Sequence, residues 1–304
     1  MKKINKVYIS GLGAVGGAYG SRIFDTDPDC LSVIADGERA ARYSRSGVRI
    51  NNKLYPFKYV TPEDGGDKAD LIIIAVKHHQ LDQSIKDIEK FVGDETVILA
   101  LLNGIVSEEM IAAKYGMDKI LHSFAVGTDA VRAGTEINFG NIGRIVFGAK
   151  DTSGKDKEIA VQEFFDRVGI PYNIPEDIIR ELWWKFMMNV GINQVSAILK
   201  ADYGVFQNIA EARELLESAS LEVVAIAEKA GVAINRDDIS RYMTIINTLS
   251  PSGKTSMLQD IEAHRKTEVE IFSKTVIELG KKYGVATPVN DMLFRMIRTL
   301  EQMY

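Results

Sequence analysis

Residues 7–24 read VYISGLGAVGGAYGSRIF. The first four form a short apolar run suited to a strand. The stretch from Ala14 to Phe24 suits a helix, and Gly11, Gly13 and Gly16 stand between the two. GxGxxG is a common pattern by chance, but a strand–turn–helix setting gives each glycine a task. The first permits a tight turn, the second lets backbone approach a pyrophosphate, and the third lets helix and strand pack closely. The free N–H groups at the helix start then face the phosphates. Gly11, Leu12, Gly13, Ala14, Val15 and Gly16 are therefore expected to bind a dinucleotide. The alternatives are a plain glycine-rich turn or another nucleotide, such as S-adenosylmethionine.

The rhythm continues outward. LSVIA (31–35) reads as a second strand and is followed by helical GERAARYSR. LIIIAV (71–76) is a continuous aliphatic run, as in a strand buried on both faces. An amphipathic segment at 79–91, strand TVILAL (96–101), helical 107–115 and strand-like 119–126 follow. This alternation predicts an α/β fold with a Rossmann-type, doubly wound parallel sheet. GTEINFG and GRIVFGA, within 134–149, read as a hairpin or edge addition. Helical IAVQEFFDRV leads into GIPYNIPED, whose two prolines mark the best boundary. The expected division is a dinucleotide-binding domain over 1–172 and a helical domain over 173–304. Segments 178–199, 208–230, 236–248, 257–283 and 288–302 carry apolar spacings of three and four, so the second half is expected to be all-helical.

Bulk properties narrow the function. With 304 residues the chain can form two domains and a large core. A hydrophobic content of 46% and a charged content of 26% are ordinary for a soluble globular protein. The net charge of −5 excludes a broad basic field for nucleic acid or anionic membranes. The single cysteine, Cys30, cannot form an internal disulfide, which suits a reducing cytosol. The opening MKKINK has the charge of a signal peptide, but the apolar run after it is short and broken by glycines. No stretch approaches the roughly 18 apolar residues of a membrane span. A cytoplasmic location is expected.

Asp36 ends the second strand about 20 residues after the glycine motif, where a carboxylate accepts hydrogen bonds from the adenosine ribose and repels a 2′-phosphate. That favours NAD over NADP, with Arg39 and Arg42 on the next helix as the counter-signal. Lys77 and Asn103 follow two buried strands, at the carboxyl end of the sheet where ligands bind. His78 and His79 are adjacent and cannot converge on one ion, so no metal site is expected. Residues 181–193, ELWWKFMMNVGIN, place Lys185, Asn189 and Asn193 four apart on one side of an apolar helix. A solvated face is the usual reading, but such faces carry Glu and Lys rather than two asparagines. Ser256 lies at a predicted helix start, where capping alone could explain it, and Glu268 sits among apolar neighbours.

Together, GLGAVG, VKHHQ (76–80), LNG (102–104), WWKFMMNVGIN (183–193) and SMLQDIEAHRKTE (256–268) resemble the ketopantoate reductase family in order, spacing and distance over nearly the whole chain. The resemblance implies a Rossmann domain followed by a helical domain, with the active site in the cleft. It implies hydride transfer from a reduced nicotinamide, NAD or NADP, to the ketone of a 2-oxo acid, 2-dehydropantoate first. By position, Lys185 would be the general acid and Glu268 would hydrogen-bond near the reacting oxygen. Asn189, Asn193 and Ser256 would hold the substrate; Lys77 and Asn103 would sit beside the nicotinamide ribose. An ammonium in such a site stabilises the developing alkoxide and can protonate it.

Three positions depart from the family pattern. NADPH-using members typically carry arginine near position 36, where this chain has Asp36. Two usual asparagines are replaced by Gly253 and by Tyr203, which precedes Gly204. Reaction type is therefore better determined than substrate. The rival is an NAD-dependent D-2-hydroxyacid dehydrogenase for a bulky 2-oxo acid, similar to D-mandelate dehydrogenase. A non-catalytic dinucleotide-binding regulator would not need Lys185 and Glu268, and a methyltransferase would not need the helical domain. The apolar helical half leans toward a homodimer.

Overall fold

A computed structural model describes residues 3–303. The chain divides into two compact units, Met1–Asn103 with Ser107–Ile178, and Gly104–Val106 with Ile179–Tyr304.

The first unit contains strands β1 (Val7–Ser10), β2 (Leu31–Ile34), β3 (Val48–Ile50), β4 (Lys53–Tyr55), β5 (Lys58–Val60), β6 (Leu71–Ile74), β7 (Val97–Ala100), β8 (Ile120–Val126), β9 (Val131–Ala133), β10 (Glu136–Asn138), β11 (Arg144–Gly148) and β12 (Tyr172–Asn173). Its helices are α1 (Ala14–Thr26), α2 (Gly37–Ser46), α3 (Leu81–Asp87), α4 (Ser107–Tyr115) and α5 (Lys155–Val168). Eight strands make one sheet in the order β12-β11-β8-β7-β6-β1-β2-β5, and four make a second, β4-β3-β10-β9. The large sheet is parallel except where β11 runs against β8. The order reverses at β1, which pairs with β2 on one side and β6 on the other. Ligand crevices of doubly wound sheets lie outside the carboxyl ends of the strands at such a reversal.

The aliphatic runs are continuous because alternate residues enter different cores. Val7, Ile9, Leu71, Ile73, Val97 and Leu99 pack on one side. Tyr8, Ile72, Ile74, Ile98 and Ala100 pack on the other. With both faces covered, a period of two favours apolar side chains at nearly every position of the central strands. The segments at 134–149 do not pair with each other as a hairpin. β10 joins β3 and β9 in the small sheet, whereas β11 extends the large sheet. β3, β4 and β5 have no counterpart in the sequence reading; strands of three residues are too short to show periodicity.

The second unit is helical: α6 (Ile178–Leu199), α7 (Tyr203–Asn208), α8 (Ala210–Ala230), α9 (Arg236–Ile246), α10 (Ser256–Glu262), α11 (Thr275–Tyr283) and α12 (Pro288–Leu300). Phe186, Met187, Phe206, Leu216, Val223, Met257 and Phe272 contribute to its core. The single helix expected over 257–283 is broken. α10 stops near Ala263, His264 adopts φ 52, and a five-residue π-turn, Glu270–Lys274, precedes α11. No described helix is long and apolar enough to cross a membrane.

Candidate active site

In the sheet unit the glycine loop joins β1 to α1 with a division of labour visible in space. Gly11 has φ +101, and a Cβ there would lie 2.7 Å from the Ala75 backbone. At Gly16 a Cβ would come within 2.0 Å of the Gly11 carbonyl oxygen. Both positions therefore exclude a side chain, one by conformation and closeness, the other by closeness alone. Gly13 differs. It precedes α1 without a side-chain cap, and the nearest atom to a Cβ there, the Ala75 oxygen, is 3.8 Å away. The first N–H groups of a helix lack intrahelical partners, and no side chain caps them here, so the start of α1 suits a pyrophosphate. Leu12 is buried, while Ala14 and Val15 form the half-buried first turn of α1.

One participant has no local sequence signal. Arg132, on β9, donates to the carbonyl of Leu12 in the loop, to the Gly134 carbonyl at 2.7 Å and to the Tyr43 hydroxyl at 3.1 Å. It lies 120 residues from Leu12, so only the fold pairs them. Burial raises the Tyr43 phenol pKa, but the hydrogen bonds and charges of Arg132 and Arg42 outweigh it and leave the group below its ordinary value.

Asp36 caps α2. Its Oδ1 accepts from the Arg39 N–H at 2.7 Å, and its Oδ2 lies 3.3 Å from Arg39 Nε. The carboxylate thus closes the start of α2 and holds Arg39 beside it. Lys77 lies half-buried just beyond β6 and starts the short turn His78–Gln80; Asn103 lies half-buried beyond β7. Lys77, Asn103 and the glycine loop all follow strands at the carboxyl edge of the sheet. Among the described residues no group of three or more His, Cys, Asp or Glu could hold a metal ion.

In the helical unit the polar row on α6 is wired to α10. Lys185 is 9% exposed and Asn193 6%, so neither belongs to an ordinary solvated face. Asn193 Nδ2 donates to Asn189 Oδ1 at 3.1 Å. Its Oδ1 accepts from Ser256 Oγ at 3.1 Å and from the Met257 N–H at 3.3 Å. Both ends of the Asn193 amide are therefore engaged, and this residue orients Asn189 and Ser256. The cap of α10 is Thr255, whose Oγ1 accepts from Leu258 N at 3.2 Å and bonds Ser196 Oγ at 2.6 Å. Capping is thus not what holds Ser256. Glu268 is half-buried just before the π-turn, and the Ile271 N–H donates to its carbonyl at 3.1 Å.

The two departures in this unit are one feature. A Cβ at Gly253 would lie 2.8 Å from Tyr203 Cδ2. Tyr203 N–H donates to the Gly253 carbonyl at 3.0 Å, and Gly204 N–H to that of Pro251 at 2.7 Å. The Tyr203 ring takes the place a side chain at 253 would occupy.

Known proteins share this fold. A family profile described as "Ketopantoate reductase PanE/ApbA" matches residues 7–152, and one described as "Ketopantoate reductase PanE/ApbA C terminal" matches 177–301. The 2-dehydropantoate 2-reductase of Pyrococcus horikoshii is 27% identical, with 98% of each chain covered. D-mandelate dehydrogenase, solved with NADH and anilino(oxo)acetate, superposes with a TM-score of 0.89 at 22% identity, covering 98% of this chain and 99% of that one. A dimeric ketopantoate reductase from Staphylococcus aureus does so at 0.79 and 22%, with 98% and 99% covered. The two profiles follow one another in chain order and together cover most of the sequence: this chain belongs to the ketopantoate reductase family.

Proposed function

We propose that this protein reduces the ketone of a 2-oxo acid, 2-dehydropantoate in the leading reading, by hydride transfer from a reduced nicotinamide. The observation that supports it most is the hydrogen-bonded set Asn189–Asn193–Ser256, one helical turn from buried Lys185. When bound, the cofactor supplies the hydride. Lys185 stabilises the negative charge that grows on the carbonyl oxygen and delivers its proton there. Asn189 and Ser256, held by Asn193, hydrogen-bond the substrate's polar groups. Glu268 bonds near the reacting oxygen. The loop from Gly11 to Gly16 holds the pyrophosphate, and Lys77 and Asn103 lie toward the nicotinamide ribose.

NADH is the preferred cofactor in this reading. The exposed Asp36 carboxylate repels a 2′-phosphate and holds Arg39 by an ion pair. A cytoplasmic homodimer accompanies it, supported by the dimeric relative. The second reading, a D-2-hydroxyacid dehydrogenase for a bulky 2-oxo acid, is favoured by the Tyr203 ring over Gly253. An aromatic ring there offers an apolar surface where an amide would offer hydrogen bonds.

Initial rates with 2-dehydropantoate and with 2-oxo-2-phenylacetate, each with NADH and NADPH, test both readings. A kcat/KM for 2-dehydropantoate at least tenfold above the other acid supports the first. The reverse order supports the second, and no turnover of either acid with either cofactor sinks both.

A further inference from the structure

Behind the polar row lies a second network that the chemistry above does not use. Gln194, Ser273 and Asn290 are each 0% exposed. Ser273 Oγ donates to Gln194 Oε1, with Asn290 Oδ1 at 3.3 Å as a second acceptor. Gln194 Nε2 donates to Asn290 Oδ1 at 3.2 Å and to the Val190 carbonyl at 2.8 Å. Asn290 is fixed in turn. Its Nδ2 donates to Glu222 Oε2 at 2.7 Å and to the Ala219 carbonyl at 3.1 Å. The Glu222 carboxylate also accepts the N–H groups of Val289 and Asn290, at 2.7 and 3.0 Å, at the start of α12. Four elements, α6, α8, α12 and the π-turn, meet through satisfied groups, which makes the junction stiff.

The place of Ser273 gives this junction its meaning. It lies in the π-turn Glu270–Lys274, where the Lys274 N–H donates to the Val269 carbonyl at 3.3 Å, five residues back. A π-turn holds one residue more than α-helical geometry would, and is frequent at functional sites. Removing that residue from register would rotate everything before it by about 100° relative to α11, since an α-helix has about 3.6 residues per turn. Glu268 stands two residues before Glu270, the first residue of the turn. Gln194 follows Asn193, so one end of the network sits on the helix bearing Lys185 and Asn189.

We infer that Gln194, Ser273 and Asn290 are positioning residues that lock the π-turn and so fix the direction of Glu268 relative to the Lys185 helix. The inference rests on the reading of Glu268 as a substrate-contacting group. Without the Ser273 hydroxyl the turn can relax toward regular helix, and Glu268 swings out of line.

The test is a double-mutant cycle in the full-length enzyme with saturating NADH and the better of the two acids above. Glu268→Gln and Ser273→Ala are each expected to lower kcat about 10- to 100-fold with cofactor Kd close to wild type; Ser273→Ala, which takes the hydroxyl donor from buried Gln194 Oε1, should also melt a few degrees lower. Gln194→Met should match Ser273→Ala. In the Glu268→Gln background, Ser273→Ala should cost less than about twofold more, because the group it positions has already been altered. Backbone amides 270–275 should exchange at least tenfold faster in Ser273→Ala. A full additive loss in that background would place the network's effect elsewhere and overturn the inference. So would wild-type kcat in Ser273→Ala while Glu268→Gln is slow, which leaves the role of Glu268 intact. Wild-type kcat in Glu268→Gln would remove both.

Discussion

The glycine loop and the polar row on α6 hold the two halves of the proposed chemistry by opposite means. The loop works through backbone. What matters there is the absence of side chains, and at Gly11 and Gly16 that absence is enforced within a few residues or across one neighbouring strand. The row works through side chains whose partners come from far along the chain: Asn193 is 63 residues from Ser256, and Gln194 is 96 from Asn290. A site made of backbone therefore shows itself as a local pattern, whereas a site made of side chains shows itself only as residues out of place on an apolar helix.

The sharpest way to break this comparison is Lys185→Ala. It should lower kcat by about 10²–10⁴-fold, the range for loss of a general acid. Cofactor affinity should stay within about twofold of wild type by fluorescence titration, since Lys185 belongs to the row rather than the loop. Near-native turnover would remove the assignment.

Within the loop the comparison becomes one of neighbouring glycines. Gly16→Ala places a methyl 2.0 Å from the Gly11 oxygen and should destabilise the protein by about 1–3 kcal/mol, as overpacking does. Gly13→Ala meets nothing nearer than 3.8 Å and should melt like wild type while binding NADH more weakly. Equal melting temperatures for the two would show that the loop is more pliant than its close contacts imply.

Acid probes the sheet half from another side. His122 on β8 is buried, its Nδ1 has no hydrogen-bond partner, and burial, with help from the charge of Lys150, lowers its pKa to about 4. The folded state thus keeps His122 neutral while the unfolded chain protonates it near 6.5. Its contribution to stability is full above about pH 6.5 and is lost as pH falls toward 4. Denaturant titrations should show a decline of about 1–3 kcal/mol over that window. His122→Leu should make the decline shallower, and an unchanged slope would assign it to other groups.

The smallest effect is expected from Arg132→Met, which removes the hold on the Leu12 carbonyl. The Kd for NADH should rise about tenfold, roughly 1.4 kcal/mol, while kcat at saturating cofactor stays near wild type. An unchanged Kd would show that the loop holds its shape without this arginine.

Much of the fold was readable in advance because burial leaves periodic traces. Strands covered on both faces appear as unbroken aliphatic runs, and the glycine spacing marks the turn that must approach the neighbouring strand. Short strands such as β3 to β5 left no trace, since three residues cannot establish a period. The break at 263–274 was also hidden, because apolar spacing survives a π-turn that shifts register by one residue.

Sequence alone determined the family, the class of fold and which residues sit oddly in their surroundings, Lys185, Asn189 and Asn193 above all. Those follow from local physics: propensity, period and the cost of putting polar groups in apolar stretches. Tertiary structure decided what each is tied to. It turned Asn193 inward to orient Asn189 and Ser256, gave the α10 cap to Thr255, set Tyr203 over Gly253, brought Arg132 to the glycine loop and joined Gln194 to Ser273 and Asn290. Hydrogen bonds between residues 60 to 120 positions apart depend on how helices and sheets pack, and packing is a property of the whole chain that no local pattern records.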